Sequence, residues 1–438
     1  MAHHYIPDTG SDDPGARIPR RYGWIVFALS FGLLLSDYMS RQVLNAVFPL
    51  LKHEWALSDA QLGLSSGIVA LMVGVLTFPL SLLADRFGRV KSLTLMATVW
   101  SLATLGCGLA QAYPQMLVAR FFVGVGEAAY GSVGIAVVLS VFPKHMRATL
   151  TGAFMAGGMF GSVLGMALGG AVAAHLGWRW AFAAMALFGL VLATVYPIVV
   201  REKRIAPDGA PRATTARAAR VPLRNLVNSR SVIGAYIGSG LQLFVGGTVI
   251  VWMPSYLNRY YAMATDAAGA VSAMIVLLSG IGMIACGILS DRMCRNSPSR
   301  KFNLAITCAL SSCALLSLAF ALPHGTAQLV VIGMGMFMAA GTSGPAGAMV
   351  ANLTPLPIHG TAFAMLTLVN NLLGLAAGPL VTGILADAFG LSTAFQLVPL
   401  ISIAAAATFL FAKRHYLTDV RKVGRPVHAY DIGAEIAT

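Results

Sequence analysis

Four charged side chains fall inside apolar stretches of this chain: Asp37, Arg41, Arg120 and Glu127. A charge within a membrane span costs about 2.5–3.5 kcal/mol by insertion scales, so each needs a partner or a wet cavity. Asp37 and Arg41 are four residues apart on one helix face, with the acid first, the favourable order. The pair can be a structural ion pair. Arg41 can also present its planar fork to a carboxylate in two-point fashion. Arg120 and Glu127 are seven residues apart, again on one face, and the same choice applies to Arg120. Glu127 beside an arginine can take or release a proton as its partner is occupied. The second half of the chain offers uncharged candidates instead, Gln242, Asn352, Asn370 and Asn371. The chemistry these residues suit is anion recognition from the first half, hydrogen bonding from the second, and proton movement through Glu127, with Asp37 held ionised by Arg41. No phosphate-cradling loop or nucleophile elbow accompanies them, so the reading is a non-enzymatic protein without a cofactor. The five cysteines, Cys107, Cys286, Cys294, Cys308 and Cys313, form no metal-ligand spacing and are expected to be free thiols.

The elements that must position these groups are membrane spans. Hydrophobic residues make up 57% of the chain and charged ones 11%, against about a quarter charged in a soluble protein. Apolar runs near the ~20 residues needed to cross a bilayer lie at 23–50, 60–84, 92–111, 116–141, 149–174 and 180–200. A second set lies at 231–257, 267–290, 302–322, 327–350, 361–386 and 393–413. The expected organisation is a cytoplasmic tail 1–22, a six-helix bundle 23–200, a cytoplasmic linker 201–229, a second six-helix bundle 230–413, and a cytoplasmic tail 414–438. The first apolar run is too long for a cleavable signal peptide and reads as the first span. The formal net charge is +14. Its basic residues sit in short gaps between spans rather than on one face, which argues against nucleic-acid binding. With the N-terminus inside, 25 of the 30 Lys and Arg are cytoplasmic and three, Lys52, Arg179 and Arg259, lie outside. Both termini are therefore expected to be cytoplasmic.

The two halves repeat one another. Gly63, Asp85 and Arg86 align with Gly269, Asp291 and Arg292 at an offset of 206, and the run starting at Gly177-Trp178 aligns with the run starting at Gly390-Leu391 at an offset of 213. Parallel repeats joined by a long loop are a transporter architecture with the site between the halves near the midplane. Leu83-Ala84-Asp85-Arg86-Phe87-Gly88-Arg89-Val90-Lys91 resembles the loop signature of the major facilitator superfamily, with Ser81 in place of its usual first glycine, and Gly287-Ile288-Leu289-Ser290-Asp291-Arg292 resembles a shortened copy. Arg120-Phe121-Phe122-Val123-Gly124-Val125-Gly126-Glu127 resembles the arginine motif of the fourth span. Gly157, Gly158, Gly161, Gly165, Gly169 and Gly170 resemble the glycine-rich fifth span.

Within that superfamily, Gly124-Val125-Gly126-Glu127-Ala128-Ala129, Trp252-Met253-Pro254-Ser255-Tyr256-Leu257 and Leu57-Ser58-Asp59-Ala60-Gln61-Leu62-Gly63 are similar to bacterial spinster-type transporters. Arg41, Arg120 and Glu127 together resemble the anion:cation symporter branch. Both branches carry an Asp-Arg pair in span one; here Ser40 precedes Arg41, so the coupling proton is expected on Glu127. The resemblance implies a monomeric, bacterial inner-membrane carrier working by alternating access. Asp85, Arg86, Gly88 and Arg89, with Asp291 and Arg292, would form its cytoplasmic latch. The expected function is proton-coupled transport of a small organic anion bound by Arg41, Arg120, Gln242, Asn370 and Asn371. The alternative substrate is a lysolipid or another amphipathic molecule. A membrane sensor is the reading of another class, but the tails are too short for an output domain.

Overall fold

The computed structural model describes residues 19–205, 229–293, 299–354 and 358–422. The two tails beyond those bounds, most of the 201–229 linker, Cys294 and the Asp85 side chain lie outside the described residues.

Twelve helices are long and apolar enough to cross a membrane. In chain order they are α1 (Arg20–Trp55), α2 (Asp59–Phe87), α3 (Arg89–Leu109), α4 (Tyr113–Ser140), α5 (Arg147–Leu176), α6 (Trp178–Val199), α7 (Arg230–Tyr261), α8 (Thr265–Met293), α9 (Arg300–Ala321), α10 (Thr326–Leu353), α11 (His359–Phe389) and α12 (Leu391–Arg421). Helices suit the bilayer because each satisfies its own backbone hydrogen bonds. The start of α2 is set locally by a capping box in which Ser58 and Gln61 exchange side-chain-to-backbone bonds. Glu202–Ile205 forms a short further helix after α6.

The repeat is visible in the backbone. Ala56 ends α1 at φ 50° and Ala262 ends α7 at φ 51°, two left-handed caps separated by the same 206 residues as the sequence repeat. Gly177 and Gly390 turn α5 into α6 and α11 into α12 at φ 91° and 85°. Helices α4 and α10 break at matching places, Ala128–Ala129 and Gly341–Thr342. Thr77 Oγ1 donates to Ala128 O at 2.6 Å, satisfying a carbonyl that the first break frees.

Close helix approach holds the bundle together. A Cβ on Gly161 of α5 would meet Leu35 O at 2.5 Å and the Tyr38 Cβ at 2.9 Å on α1; one on Gly165 would meet Met39 Cα at 2.7 Å. The halves meet through α5 with α8 and α2 with α11, where Gly170 faces Thr265 O and Gly67 faces Ala376 O. These contacts lie toward the end carrying the α1–α2 and α7–α8 turns. Polar locks close the same end. Asp59, at the start of α2, receives Arg259 Nη1 at 2.8 Å, Arg259 Nη2 at 2.5 Å and Lys52 Nζ at 2.6 Å. The Asp387 carboxylate of α11 accepts from the backbone N–H of Asp59 at 2.7 Å and of Ala60 at 2.9 Å. An anion at a helix N-terminus meets free N–H groups and the positive dipole end.

Candidate functional site

Arg41 is the centre of the intramembrane charges. Its Nε lies 3.1 Å from Asp37 Oδ1 on its own helix and 2.7 Å from Glu127 Oε2 on α4. Both carboxylates are buried. One N–H therefore faces two acids, and neither Glu127 oxygen receives an aligned hydrogen bond. The Arg41 terminal nitrogens donate to no protein group among the described residues, while the guanidinium carbon stands 5.1 Å from the Tyr38 ring centroid. The side chain is 18% exposed, so the surrounding helices leave the fork partly open.

Arg120 differs. It is 1% exposed; its Nη1 donates to Ser40 O at 2.9 Å and its Nε to Ser65 O at 3.3 Å. It joins the backbones of α1 and α2 from α4. No carboxylate lies in ion-pair contact with it among the described residues. The expected grouping of Glu127 with Arg120 is thus replaced by Glu127 with Arg41, and Asp37 and Glu127 share one arginine. The four formal charges still cancel. A polar chain continues beside Arg41: Asn45 Nδ2 donates to Gln42 Oε1 at 2.7 Å, and Ser66 Oγ to Asn45 Oδ1 at 3.2 Å.

In the other half, Asn370 and Asn371 open a π-helical stretch, Asn370–Ala376, within α11. Such bulges widen the turn and recur at functional sites. Asn371 Nδ2 donates to Thr367 O at 2.9 Å, and the Oδ1 atoms of both asparagines are buried without a partner. Asn371 packs against Gly74 of α2, at the seam between the halves. Gln242 is placed elsewhere: its Nε2 donates to Ser312 Oγ of α9 at 2.8 Å, inside the second bundle, with Ser402 of α12 behind.

The loop signature forms a tight turn. Gly88 sits at φ 98°, a conformation that L side chains rarely adopt. The Glu202 carboxylate accepts from the N–H of Arg89 at 2.9 Å and of Val90 at 2.8 Å, capping α3. Arg86, Asp291 and Arg292 are exposed. Cys107, Cys286, Cys308 and Cys313 are free and buried, and no metal-holding cluster occurs among the described residues.

Sequence reasoning missed Asp59, Arg259 and Asp387. A signal existed: Lys52 and Arg259 are two of only three basic residues assigned to the outer side, and Asp59 is an acid at a helix start beside one of them.

The profile of the Major Facilitator Superfamily matches residues 30–344. The chain belongs to this superfamily. It is a secondary transporter with the superfamily's two-repeat, twelve-helix fold. It is 24% identical to the hexuronate transporter of Bacillus subtilis over 413 residues, covering 92% of this chain and 95% of that one. It is 26% identical to protein spinster homolog 1 of Homo sapiens over 399 residues, covering 84% and 74%. Among solved structures it is similar to a bacterial homolog of the human lysosomal transporter Spinster in an inward-facing, occupied conformation. There the TM-score is 0.81 at 20% identity, over 92% of this chain and 99% of that one.

Proposed function

We propose that this superfamily member carries an amphipathic organic anion by alternating access, coupled to protons, with the anionic group on Arg41. The observation that carries the reading is the Arg41 fork: partly exposed, with its terminal nitrogens donating to no protein group among the described residues. A single partly exposed guanidinium with free terminal donors suits a molecule with one anionic group. Likeness to the sphingosine-1-phosphate transporter SPNS2 of Danio rerio, 24% identical over 438 residues, lends weight to an amphipathic substrate beside a small polar acid. A sugar acid is the second reading, favoured by the likeness to the hexuronate transporter and by the Gln42–Asn45–Ser66 chain beside Arg41.

In this mechanism Asp37 and Glu127 compete for Arg41 when the site is empty. A substrate anion on the Arg41 fork draws the guanidinium away from the carboxylates, and a proton replaces it on Glu127. Binding of anion and proton are then linked in both directions. Arg120 fixes α1 against α2 so that Arg41 keeps its place. The Asp85–Arg89 turn and Asp291–Arg292 act as the latch of the opposite state.

With 25 of the 30 basic residues on one side, that side is cytoplasmic by the positive-inside rule, and both termini lie there. The locks around Asp59 then close the outer end, which makes the conformation inward-facing. The protein works as a monomer. Reconstituted protein is to be tested for uptake of a labelled lysophospholipid and a labelled hexuronate, with and without a pH gradient. Gradient-stimulated uptake of the lysophospholipid, lost in Arg41→Gln, is expected. Uptake of the hexuronate alone favours the second reading, and uptake unchanged in Arg41→Gln removes the anchor.

A further inference from the structure

A cavity of about 410 Å³ lies between α2 and α3, with α4 as its floor, and none of the four intramembrane charges lines it. Two facing stripes at helical spacing build it. Leu83 and Phe87 come from α2; Lys91, Leu95 and Val99 come from α3 at i, i+4 and i+8; Gly126 lies in the floor. Leu83, Phe87 and Leu95 are exposed, as side chains on the lipid-facing surface of membrane spans are. The volume falls within the ~300–1,000 Å³ typical of small-ligand sites.

The crevice has a direction. Lys91 stands at its mouth near the start of α3, on the end of the bundle that carries the chain termini. Among the described residues no carboxylate pairs with it. Val99 marks the deep end. Eight residues of helix separate them, about 12 Å at 1.5 Å per residue. Half of a bilayer's hydrocarbon is about 15 Å. The crevice therefore runs from one headgroup region to near the bilayer centre, apolar along its length and positive at the mouth.

We propose that this crevice binds one anionic phospholipid from the leaflet on the termini side, with an acyl chain along α2 and α3 and the phosphate on Lys91. The match of length supplies the chain site, and the unpaired ammonium supplies the preference for negative charge. Basic pockets between spans select anionic headgroups in this way. The floor residue Gly126 immediately precedes Glu127, so the bound chain bears on the helical turn that holds the buried carboxylate. The site is separate from the Arg41 cluster and does not depend on what the carrier transports.

The test is native mass spectrometry of the whole protein, released from bilayers containing phosphatidylglycerol and phosphatidylcholine with identical chains. One phosphatidylglycerol retained in preference to phosphatidylcholine is expected. Lys91→Gln should reduce that preference about fivefold, the factor that loss of one basic residue near the surface implies. Val99→Phe should fill the deep end and weaken retention of both lipids while leaving the headgroup preference. Dihexanoyl phosphatidylglycerol and inorganic phosphate should fail to compete, since neither fills the crevice. Arg41→Gln should leave retention unchanged. Equal retention of the two lipids by the unmodified protein, or no effect of Lys91→Gln, overturns the proposal. So does competition by phosphate alone. Loss of the lipid in Arg41→Gln would place it in the transport path and overturn it as well.

Discussion

Glu127 lies 2.7 Å from Arg41 Nε, on a different helix, while Arg120 on its own helix bonds backbone carbonyls alone among the described residues. The acid that could carry a proton is thereby tied to the arginine whose side chain is partly exposed. Asp37, 3.1 Å from the same nitrogen, is its competitor.

Glu127→Gln keeps a neutral side chain of the same shape. It should retain substrate exchange in counterflow and lose accumulation driven by a proton gradient, by about tenfold or more, the factor worth 1.4 kcal/mol. Asp37→Asn should leave gradient coupling in place. Measuring both assays in liposomes for both variants decides the assignment. Coupling lost only in Asp37→Asn would make Asp37 the carrier.

Arg120→Lys should act on stability before chemistry. An ammonium cannot copy the fork that reaches Ser40 O and Ser65 O together, and hydrogen bonds from a charged group are worth about 1.5–3 kcal/mol. A lowered thermal midpoint in detergent, with substrate affinity retained in the folded fraction, is expected. A midpoint equal to the parent's with affinity lost would move Arg120 into the binding site.

Gly161→Leu should prevent α5 from seating on α1, because its first side-chain carbon already meets Leu35 O at 2.5 Å. Overpacking of this kind costs about 1–3 kcal/mol or more. Loss of monodisperse protein, or a folded but transport-dead carrier, is the expected result. Parental transport rates would show that the two helices separate there without penalty.

Asp59→Asn should weaken the lock with Arg259 and Lys52. Hydrogen bonds to a charged group are worth about 1.5–3 kcal/mol, and the partial exposure of both cations favours the low end. Distances between spin labels at the ends of α2 and α11 that carry Asp59 and Asp387 should broaden toward an open population. A distribution identical to the parent's would show that apolar packing alone holds this end shut.

Protease added to inverted vesicles should cut within 201–229, whereas sealed right-side-out vesicles should protect it. Cleavage in the latter would reverse the topology drawn from the basic residues.

The spans and their pairing into repeats are legible in the sequence because they follow from local rules. A stretch such as 302–322 has to be a helix in hydrocarbon whatever its neighbours are. The repeat offset of Gly63 with Gly269 also locates Ala56 and Ala262, whose caps match in the structure. Contacts between helices are another matter. The i, i+4 rule gives Asp37 to Arg41 because both ride on α1. No spacing rule says that α4 turns Glu127 toward α1, since that depends on the angle between two helices far apart in the chain. The same limit hides the side to which Gln242 points, because every face of α7 is apolar enough to be buried. The π-helical stretch at Asn370 has no composition that sets it apart from the α-helix around it.

The lock around Asp59 has one further consequence. Lys52 and Arg259 are each partly open to the medium, with 35% and 25% of their side chains exposed. Dissolved ions therefore reach this junction, and at about 0.15 M salt the screening distance is only about 8 Å. The wedge of side chains that keeps the two bundles together at this end would loosen as salinity rises on that face. The ion pairs of Arg41, whose two carboxylates are buried, would respond far less. The carrier's resting shape should therefore respond to the electrolyte of one compartment and not the other, an asymmetry that vesicles with unlike salts inside and out can display.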